Sequence, residues 1–162
     1  MRGDELALKP PELTYMEGES RCDYNWTTGE VVGTFLAALR DHGKMLAGVC
    51  ESCGQVAVPP TSYCESCGSE VSDLREVGPR GVVMSWARVA DDFEGAPAEA
   101  PFRYVLVRPA GADTELLHVA PDDDGIRIGA TVRPEFRPRE QRGGAITDIR
   151  WFVPDGAESE GS

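Results

Sequence analysis

The sequence predicts a mainly β protein with an N-terminal helix, a zinc ribbon and a five-stranded OB-fold barrel. Three observations support this fold class: two matching Cys-x-x-Cys-Gly motifs, an amphipathic stretch before them and five short strand-like segments after them. A chain of 162 residues is long enough for one or two small domains. A small β-sandwich is the alternative for the C-terminal part.

The two cysteine motifs predict a metal site. Cys50 and Cys53 form the first pair and Cys64 and Cys67 the second, and a glycine follows each pair. Such pairs can place four thiolates at the corners of a tetrahedron, with Zn–S distances of about 2.3 Å. Two disulfides or four unrelated thiols are the simpler interpretation. A zinc ion held by four protein ligands is structural rather than catalytic.

An amphipathic helix is predicted at about residues 28–42. Its apolar side chains recur at helical spacing from Val31 to Leu39. Thr27 and Glu30 match a capping box at its start, and Gly43 suits the position just past its end. The segment before the helix reads as an arm that is either a flexible leader or a docking segment.

The remaining elements follow in order along the chain. Lys44–Val49 and Gln55–Val58 are predicted ribbon strands, and Pro59-Pro60 ends the second. After Gly78-Pro79 we expect five strands in some 75 residues, with no intervening helix of any length, which indicates a small antiparallel barrel. These five strands are Gly81–Ala90, Phe102–Arg108, Thr114–Val119, Thr131–Arg137 and Ala145–Val153, with a short Ile126–Ile128 element before the fourth. The predicted organisation is an arm (1–26), a helix (27–43), the ribbon (44–77), the OB-fold (78–153) and a disordered acidic tail (154–162).

Composition narrows the classes of function. The formal net charge is −12, and an acidic protein repels a phosphate backbone, so we expect no nucleic-acid partner. No apolar stretch approaches the roughly 20 residues that span a membrane, and Met1–Glu5 lacks an apolar signal core. Cysteines used as thiolates suit a reducing compartment, so we expect a cytoplasmic protein without a membrane partner.

The ordered set of elements resembles the acyl-CoA-associated OB-fold family with a rubredoxin-like zinc ribbon, over about residues 24–153. Further matching features are Tyr24-x-Trp26 before the helix, Pro59-Pro60 between the cysteine pairs and Ile128-Gly129-x-x-Val132 before the fourth barrel strand. The resemblance implies a small subunit in a hetero-oligomer with a thiolase-superfamily large subunit, such as a thiolase, an aldolase or a synthase. A benzoylsuccinyl-CoA thiolase is one such enzyme.

The resemblance also implies where the chemistry lies. The large subunit is expected to carry the catalytic cysteine and histidines, so this chain is an accessory subunit of an acyl-CoA acyltransferase and not a catalyst alone. It would bridge or brace the large subunit and help to bind acyl-CoA in a degradation pathway. Arginines near the last hairpin could grip the CoA phosphates, or they could simply pair with neighbouring acids. These candidates are Arg133, Arg137, Arg139 and Arg142.

Other chemistry-bearing residues predict no catalytic site. Cys22 has no neighbouring histidine in sequence and reads as an ordinary thiol, while His42 reads as a cap or surface residue and His118 as a packed or surface strand residue. The acidic run at residues 122–124 lacks the ligand spacing of an EF-hand and reads as a solvated turn.

Two other classes of function stay open. The first is a stand-alone OB-fold module that binds nucleic acid or another ligand, with Trp86, Tyr104 and Trp151 as stacking residues. The second, a rubredoxin-like electron carrier, is disfavoured by the close spacing of the cysteine motifs.

Overall fold

The computed structural model describes Gly18 and residues 21–156. The predicted arm and acidic tail therefore fall mostly outside the described residues. The elements, in chain order, are α1 (Gly29–His42), β1 (Met45–Val49), β2 (Val56–Ala57), β3 (Asp73–Val77), β4 (Gly81–Val89), β5 (Phe102–Pro109), β6 (Leu116–Pro121), β7 (Thr131–Phe136) and β8 (Ile149–Pro154). Two 3₁₀ turns, Arg139–Gln141 and Ile146–Asp148, lie between β7 and β8. The predicted fold class is confirmed.

Helix α1 begins and ends close to the predicted residues. Gly43 takes the left-handed conformation, with a φ of 62°, and its amide donates to Leu39 O, which closes the helix as expected. The predicted capping box is wrong. Thr28 is the N-cap and makes no side-chain cap hydrogen bond, whereas the Thr27 hydroxyl accepts a hydrogen bond from the Gly29 amide. Gly29, with a φ of 71°, turns the chain here and displaces Thr27 from the capping position.

The strands form two antiparallel sheets. In the ribbon the order is β2-β1-β3, so β3, which the sequence did not reveal, completes a three-stranded sheet. In the barrel the order is β6-β5-β4-β7-β8. The two edge strands of this second sheet, β6 and β8, pack against each other through side chains, so within the described residues the barrel is not closed by a strand pair.

Two predicted barrel elements differ from the structure. Residues 126–128 form no strand but an irregular connection between two turns, with Ile126 buried and Ile128 exposed. The last strand begins at Ile149 rather than at Ala145. The cause is Asp148, whose buried carboxylate accepts hydrogen bonds from the amides of Gly143, Gly144 and Ala145 and so holds this segment in a turn.

One hydrophobic core runs through the helix, the ribbon and the barrel. Helix α1 contributes Phe35 and Leu39, and the ribbon contributes four buried residues from β1, β2 and the segment that follows. These are Met45, Ala47, Val56 and Val58. They pack in the same cluster as the barrel residues Val83, Val105 and Phe152. The ribbon is therefore not a separate module on a flexible joint.

Candidate functional site

The four predicted metal ligands converge on one point. Their sulfur atoms all lie within 4.8 Å of one another. Cys50 Sγ is 3.5 Å from Cys67 Sγ, and Cys53 Sγ is 3.6 Å from Cys64 Sγ. A tetrahedron with Zn–S bonds of about 2.3 Å has S–S edges of about 3.8 Å, so the sulfurs sit at the spacing that zinc requires.

The two zinc knuckles, residues 50–54 and 64–68, form the same backbone hydrogen bond. The amide of Gly54 donates to Cys50 O and that of Gly68 donates to Cys64 O, both at 2.8 Å. Both glycines have left-handed φ values, 78° and 73°, which a residue with a Cβ rarely adopts. The glycine after each pair is therefore what allows the chain to turn beneath the metal.

The electrostatics of the cluster also favour a cation. Hydrogen bonds from Ser69 lower the pKa of Cys67 to about 6. A backbone hydrogen bond at Gln55 favours the Cys53 thiolate, but the sulfurs of Cys64 and Cys50 outweigh it and raise the pKa of Cys53 to about 12. Four thiolates this close repel one another, and a divalent ion removes that repulsion. All four positions are protein ligands, so the site holds a structural zinc without an open coordination position.

The ribbon is joined to the barrel by a short ladder of hydrogen bonds. The Val56 amide donates to Asp113 Oδ2 at 2.8 Å, and the Asp113 amide donates back to Val56 O. The Thr114 hydroxyl accepts from the Val58 amide at 2.8 Å and lies 3.1 Å from Val58 O. The turn between β5 and β6 is thus hydrogen-bonded to the segment that follows the first zinc knuckle. These bonds fix the position of the metal site relative to the barrel.

The four arginines proposed for CoA do not form one uniform cluster. Arg142 donates to Arg137 O at 2.6 Å, and its guanidinium lies 5.3 Å from the Phe136 ring centroid, so it braces the β7–β8 loop. Arg137 donates from Nε to Thr147 O at 2.8 Å in the same loop. Arg139 is exposed and Arg133 is half-buried on β7. The loop therefore uses part of the hydrogen-bonding capacity that a phosphate would need.

A groove of about 290 Å³ lies on the barrel beside these arginines. Its floor comes from β5 and β6, and its walls come from the β4–β5 loop, the β7–β8 loop and the start of β8. In an OB-fold this is the face, with its first and last loops, on which ligands bind. The apolar side chains that line it are Pro97, Tyr104, Leu117, Val119, Ile146 and Ile149. Arg137 and Arg150 also line it, and among the four proposed arginines within the described residues only Arg137 does so.

The sequence did not reveal the groove, because its lining comes from five separate stretches of the chain. Leu117 is 63% exposed although it lies in a strand of mostly buried residues. A single exposed leucine is common on protein surfaces, so it becomes informative only when the fold places it beside other apolar side chains.

The histidines lie where the sequence predicted. His42 is exposed at the end of α1. His118 is buried, with Nδ1 3.5 Å from Val119 O and Nε2 3.3 Å from Ile146 O, and its ring packs edge-to-face on Phe152. Burial lowers the pKa of His118. Both ring nitrogens face backbone carbonyls, so His118 acts as a packing residue between β6 and the β7–β8 loop.

The first carboxylate of the acidic run at residues 122–124 is paired with two arginines. Asp122 accepts hydrogen bonds from Arg88 at 2.7 Å and from Arg103 at 2.9 Å, and these two hydrogen bonds lower the pKa of the carboxyl. Arg103 is itself buried, donates to Ile126 O and lies 4.5 Å from the ring centroid of Trp86. Trp86, proposed as a base-stacking residue, is therefore engaged by a guanidinium.

Of the other stacking candidates, Tyr104 and Trp151 are half-buried, whereas the aromatic pair before the helix and Cys22 lie at the surface. Tyr24 and Trp26 are exposed and form an edge-to-face pair with ring centroids 5.7 Å apart. Cys22 is exposed as well. No helix in the described part of the chain is long and apolar enough to cross a bilayer.

Comparison with protein families matches two consecutive domain models. Residues 37–73 match the rubredoxin-like zinc ribbon domain of ChsH2, and residues 74–137 match the C-terminal OB-fold domain of ChsH2. The two models together span residues 37–137, which is more than half of the chain. Among curated proteins no significant match is found.

Solved structures share the fold. One is a crystal structure of a protein of unknown function from the DUF35 family of Sulfolobus solfataricus, with a TM-score of 0.60 and 23% identity over 79% of this chain and 87% of that one. Another is described as an Ltp2-ChsH2(DUF35) aldolase, with a TM-score of 0.56 and 22% identity over 75% of this chain and 91% of that one. With its four-thiolate ribbon followed directly by the OB-fold, this chain carries, in the same order, a rubredoxin-like zinc ribbon domain and a C-terminal OB-fold domain of the ChsH2 type.

Proposed function

We propose that this chain is a zinc-containing, non-catalytic subunit of a heteromeric thiolase-superfamily enzyme, in which it braces a larger catalytic subunit. The observation that carries the proposal is the match, in the same order, to both domains of ChsH2. A structural relative of similar architecture is described as part of an Ltp2-ChsH2(DUF35) aldolase. A thiolase, an aldolase or a synthase are the candidate partners.

The chemistry of the described residues supports an accessory role. A catalytic thiol needs a base or a positive field that stabilises its thiolate. Four of the cysteines surround the metal position, and His118 is packed against two backbone carbonyls. The chain therefore offers a rigid, metal-stabilised scaffold, and the large subunit would supply the groups that act on a thioester.

We extend the proposal to acyl-CoA, with the arginines of the β7–β8 region as its phosphate contacts. The four arginines run from β7 to the residue just after the first 3₁₀ turn: Arg133, Arg137, Arg139 and Arg142. Because Arg137 and Arg142 also hold the loop, Arg139 is the one whose replacement should test CoA contact without disturbing the fold. The identity of the large subunit would determine which acyl group is bound and in which degradation pathway the complex acts.

Reconstitution tests the proposal. The chain is co-expressed with the thiolase-superfamily protein encoded nearest to its gene, and CoA-dependent activity is measured for each protein alone and for the pair. We expect activity from the pair that neither protein shows alone, and we expect Arg139→Gln to raise the KM for acyl-CoA several-fold with kcat unchanged. A large subunit that is fully active and soluble by itself would refute the bracing role.

A further inference from the structure

We propose that the groove on the barrel is a binding site for a small amphipathic carboxylate, with an apolar or aromatic body and one negative charge. No residue of the metal centre takes part in it. The inference concerns this chain alone and does not depend on the proposed partner. It rests on the shape, the lining and the charge of the groove.

The shape suits a small molecule. The groove has a volume of about 290 Å³, close to the lower end of the roughly 300–1,000 Å³ that small-molecule sites occupy. It has a strand floor and loop walls, and both walls are held by defined hydrogen bonds. On one side Asp148 fixes the β7–β8 loop, and on the other the Ala100 amide donates to Asp92 Oδ1 within the β4–β5 loop. A pre-formed site loses less entropy on binding than one that must be ordered.

The lining selects for an apolar body. Leu117 projects from β6 with 63% of its surface exposed, and the half-buried Ile146 lines the groove from the β7–β8 loop. Tyr104 adds a ring that stands edge-to-face to Phe102, with the centroids 5.3 Å apart. Covering these side chains with an aliphatic or aromatic group would remove apolar surface from water, which is favourable.

The charge of the groove selects for an anion. Both charged residues that line it among the described residues, Arg137 and Arg150, are cationic. Arg137 uses Nε for Thr147 O, which leaves its two terminal nitrogens available in that contact. The Arg150 side chain is 58% exposed and forms a long ion pair with Glu135, with 3.7 Å between Nη1 and Oε1. A carboxylate on the ligand would complete a close ion pair there, because guanidinium matches its two oxygens.

The rest of the molecule makes this site specific. The protein carries a net charge of −12, so its overall charge does not attract an anionic ligand. A local pair of arginines beside an apolar floor is therefore the feature that an amphipathic acid would recognise. A nucleotide is a poorer fit, because its phosphates need more cations than the two that line the groove.

The test is a titration of the zinc-loaded full chain with butyrate, hexanoate and octanoate, followed by ¹H–¹⁵N NMR. The amides of Leu117, Val119 and Ile149 should shift in a saturable manner. Affinity should rise about fourfold for each added methylene until the groove is filled, which is the effect of burying one methylene. Octanamide, which has the same body without the charge, should bind at least about fivefold more weakly at low salt, and added salt should narrow the difference.

Two pairs of variants locate the site. Leu117→Glu places a negative charge in the groove and should abolish octanoate binding, whereas Ile128→Glu, which changes an equally exposed residue outside the groove, should not. Arg150→Gln should weaken octanoate about fivefold and octanamide little, and Arg127→Gln, also exposed and outside the groove, should change neither.

Three results would each overturn the inference. The first is that the amides of the groove show no saturable shift up to about 10 mM octanoate. The dissociation constant would then exceed the millimolar value that we expect of so small a site. The second is equal affinity for octanoate and octanamide, and the third is equal loss of binding in Leu117→Glu and Ile128→Glu. Because no partner protein is present, failure of the proposed function would leave these outcomes unchanged.

Discussion

Zinc removal should unfold the barrel as well as the ribbon. Replacing Cys64 by serine removes one of the two buried metal ligands, and a chelator at high concentration removes the ion itself. If a flexible linker joined the ribbon to the barrel, only the ribbon would lose its structure. Here Met45, Val56 and Val58, which flank the first knuckle, are packed in the same core as the barrel.

The magnitude follows from those three side chains. They are 3%, 6% and 2% exposed, and burying a side chain of this size stabilises the folded state by about 1.5–3 kcal/mol. If the loss of zinc frees the ribbon, together they forfeit roughly 5–9 kcal/mol. A typical domain has only about 5–15 kcal/mol of stability in total. We therefore expect one cooperative transition, because the barrel cannot survive the loss of its ribbon contacts.

Two probes of unfolding distinguish the cases. Zinc release is followed with a colorimetric chelator, and barrel unfolding is followed by near-UV circular dichroism during a urea titration. The two transitions should coincide in the unmodified protein, and Cys64→Ser should be unfolded without urea. Cys22→Ser is the matched control, since Cys22 is exposed and outside the metal site, and it should behave as the unmodified protein. A zinc-free protein with a native barrel signal and an unchanged urea midpoint would refute the reasoning.

Three further predictions concern the hydrogen bonds between ribbon and barrel, a buried histidine and nucleic acid. Asp113→Ala removes the acceptor for the Val56 amide and should lower the free energy of unfolding in urea by about 1–2 kcal/mol. Asp124→Ala, at a fully exposed side chain, should lower it little, and equal losses would contradict the role of the hydrogen bonds between ribbon and barrel. His118 has a lowered pKa, so the unfolded chain binds its proton first and stability should fall as the pH drops below about 6.5. His118→Gln should flatten that slope between about pH 6.5 and 5, and His42→Gln should keep it; an unchanged slope in His118→Gln would show that another group is responsible. Single-stranded DNA should not bind at low salt, as measured by fluorescence anisotropy, and binding that weakens steeply with salt would favour the nucleic-acid module.

Short-range patterns carried much of the prediction. The Cys-x-x-Cys-Gly spacing fixes four ligands and two left-handed glycines within nineteen residues, and the structure brings those sulfurs together as predicted. The apolar period of α1 places Phe35 and Leu39 in the core. These features depend on neighbours in sequence, so the sequence is enough to read them.

Contacts between segments that are distant in sequence could not be predicted from the sequence. The bond from Val56 to Asp113 joins residues 57 positions apart, and the shared core of ribbon and barrel depends on many such contacts. The same holds for Asp148, which converts the predicted start of the last strand into a turn through three amides on its own loop. Strand periodicity gives no sign that one carboxylate will be buried.

Arginine illustrates the limit most clearly. The sequence shows ten arginines between residues 80 and 153 but not which of them are occupied. Arg103 is buried between Asp122 and Trp86, and Arg142 braces a loop, whereas Arg150 lines the groove with most of its side chain exposed. Similar residues in one barrel thus make different contacts, and only the fold separates those that hold it together from those that line the groove.

Native mass spectrometry of the co-expressed pair tests the accessory-subunit role most directly. The chain is purified under non-denaturing conditions together with the thiolase-superfamily protein encoded nearest to its gene. The account predicts a heteromeric assembly that contains one zinc ion for each copy of this chain and that disappears with Cys64→Ser but not with Cys22→Ser. Two separate proteins, with this chain folded and zinc-loaded by itself, would contradict it.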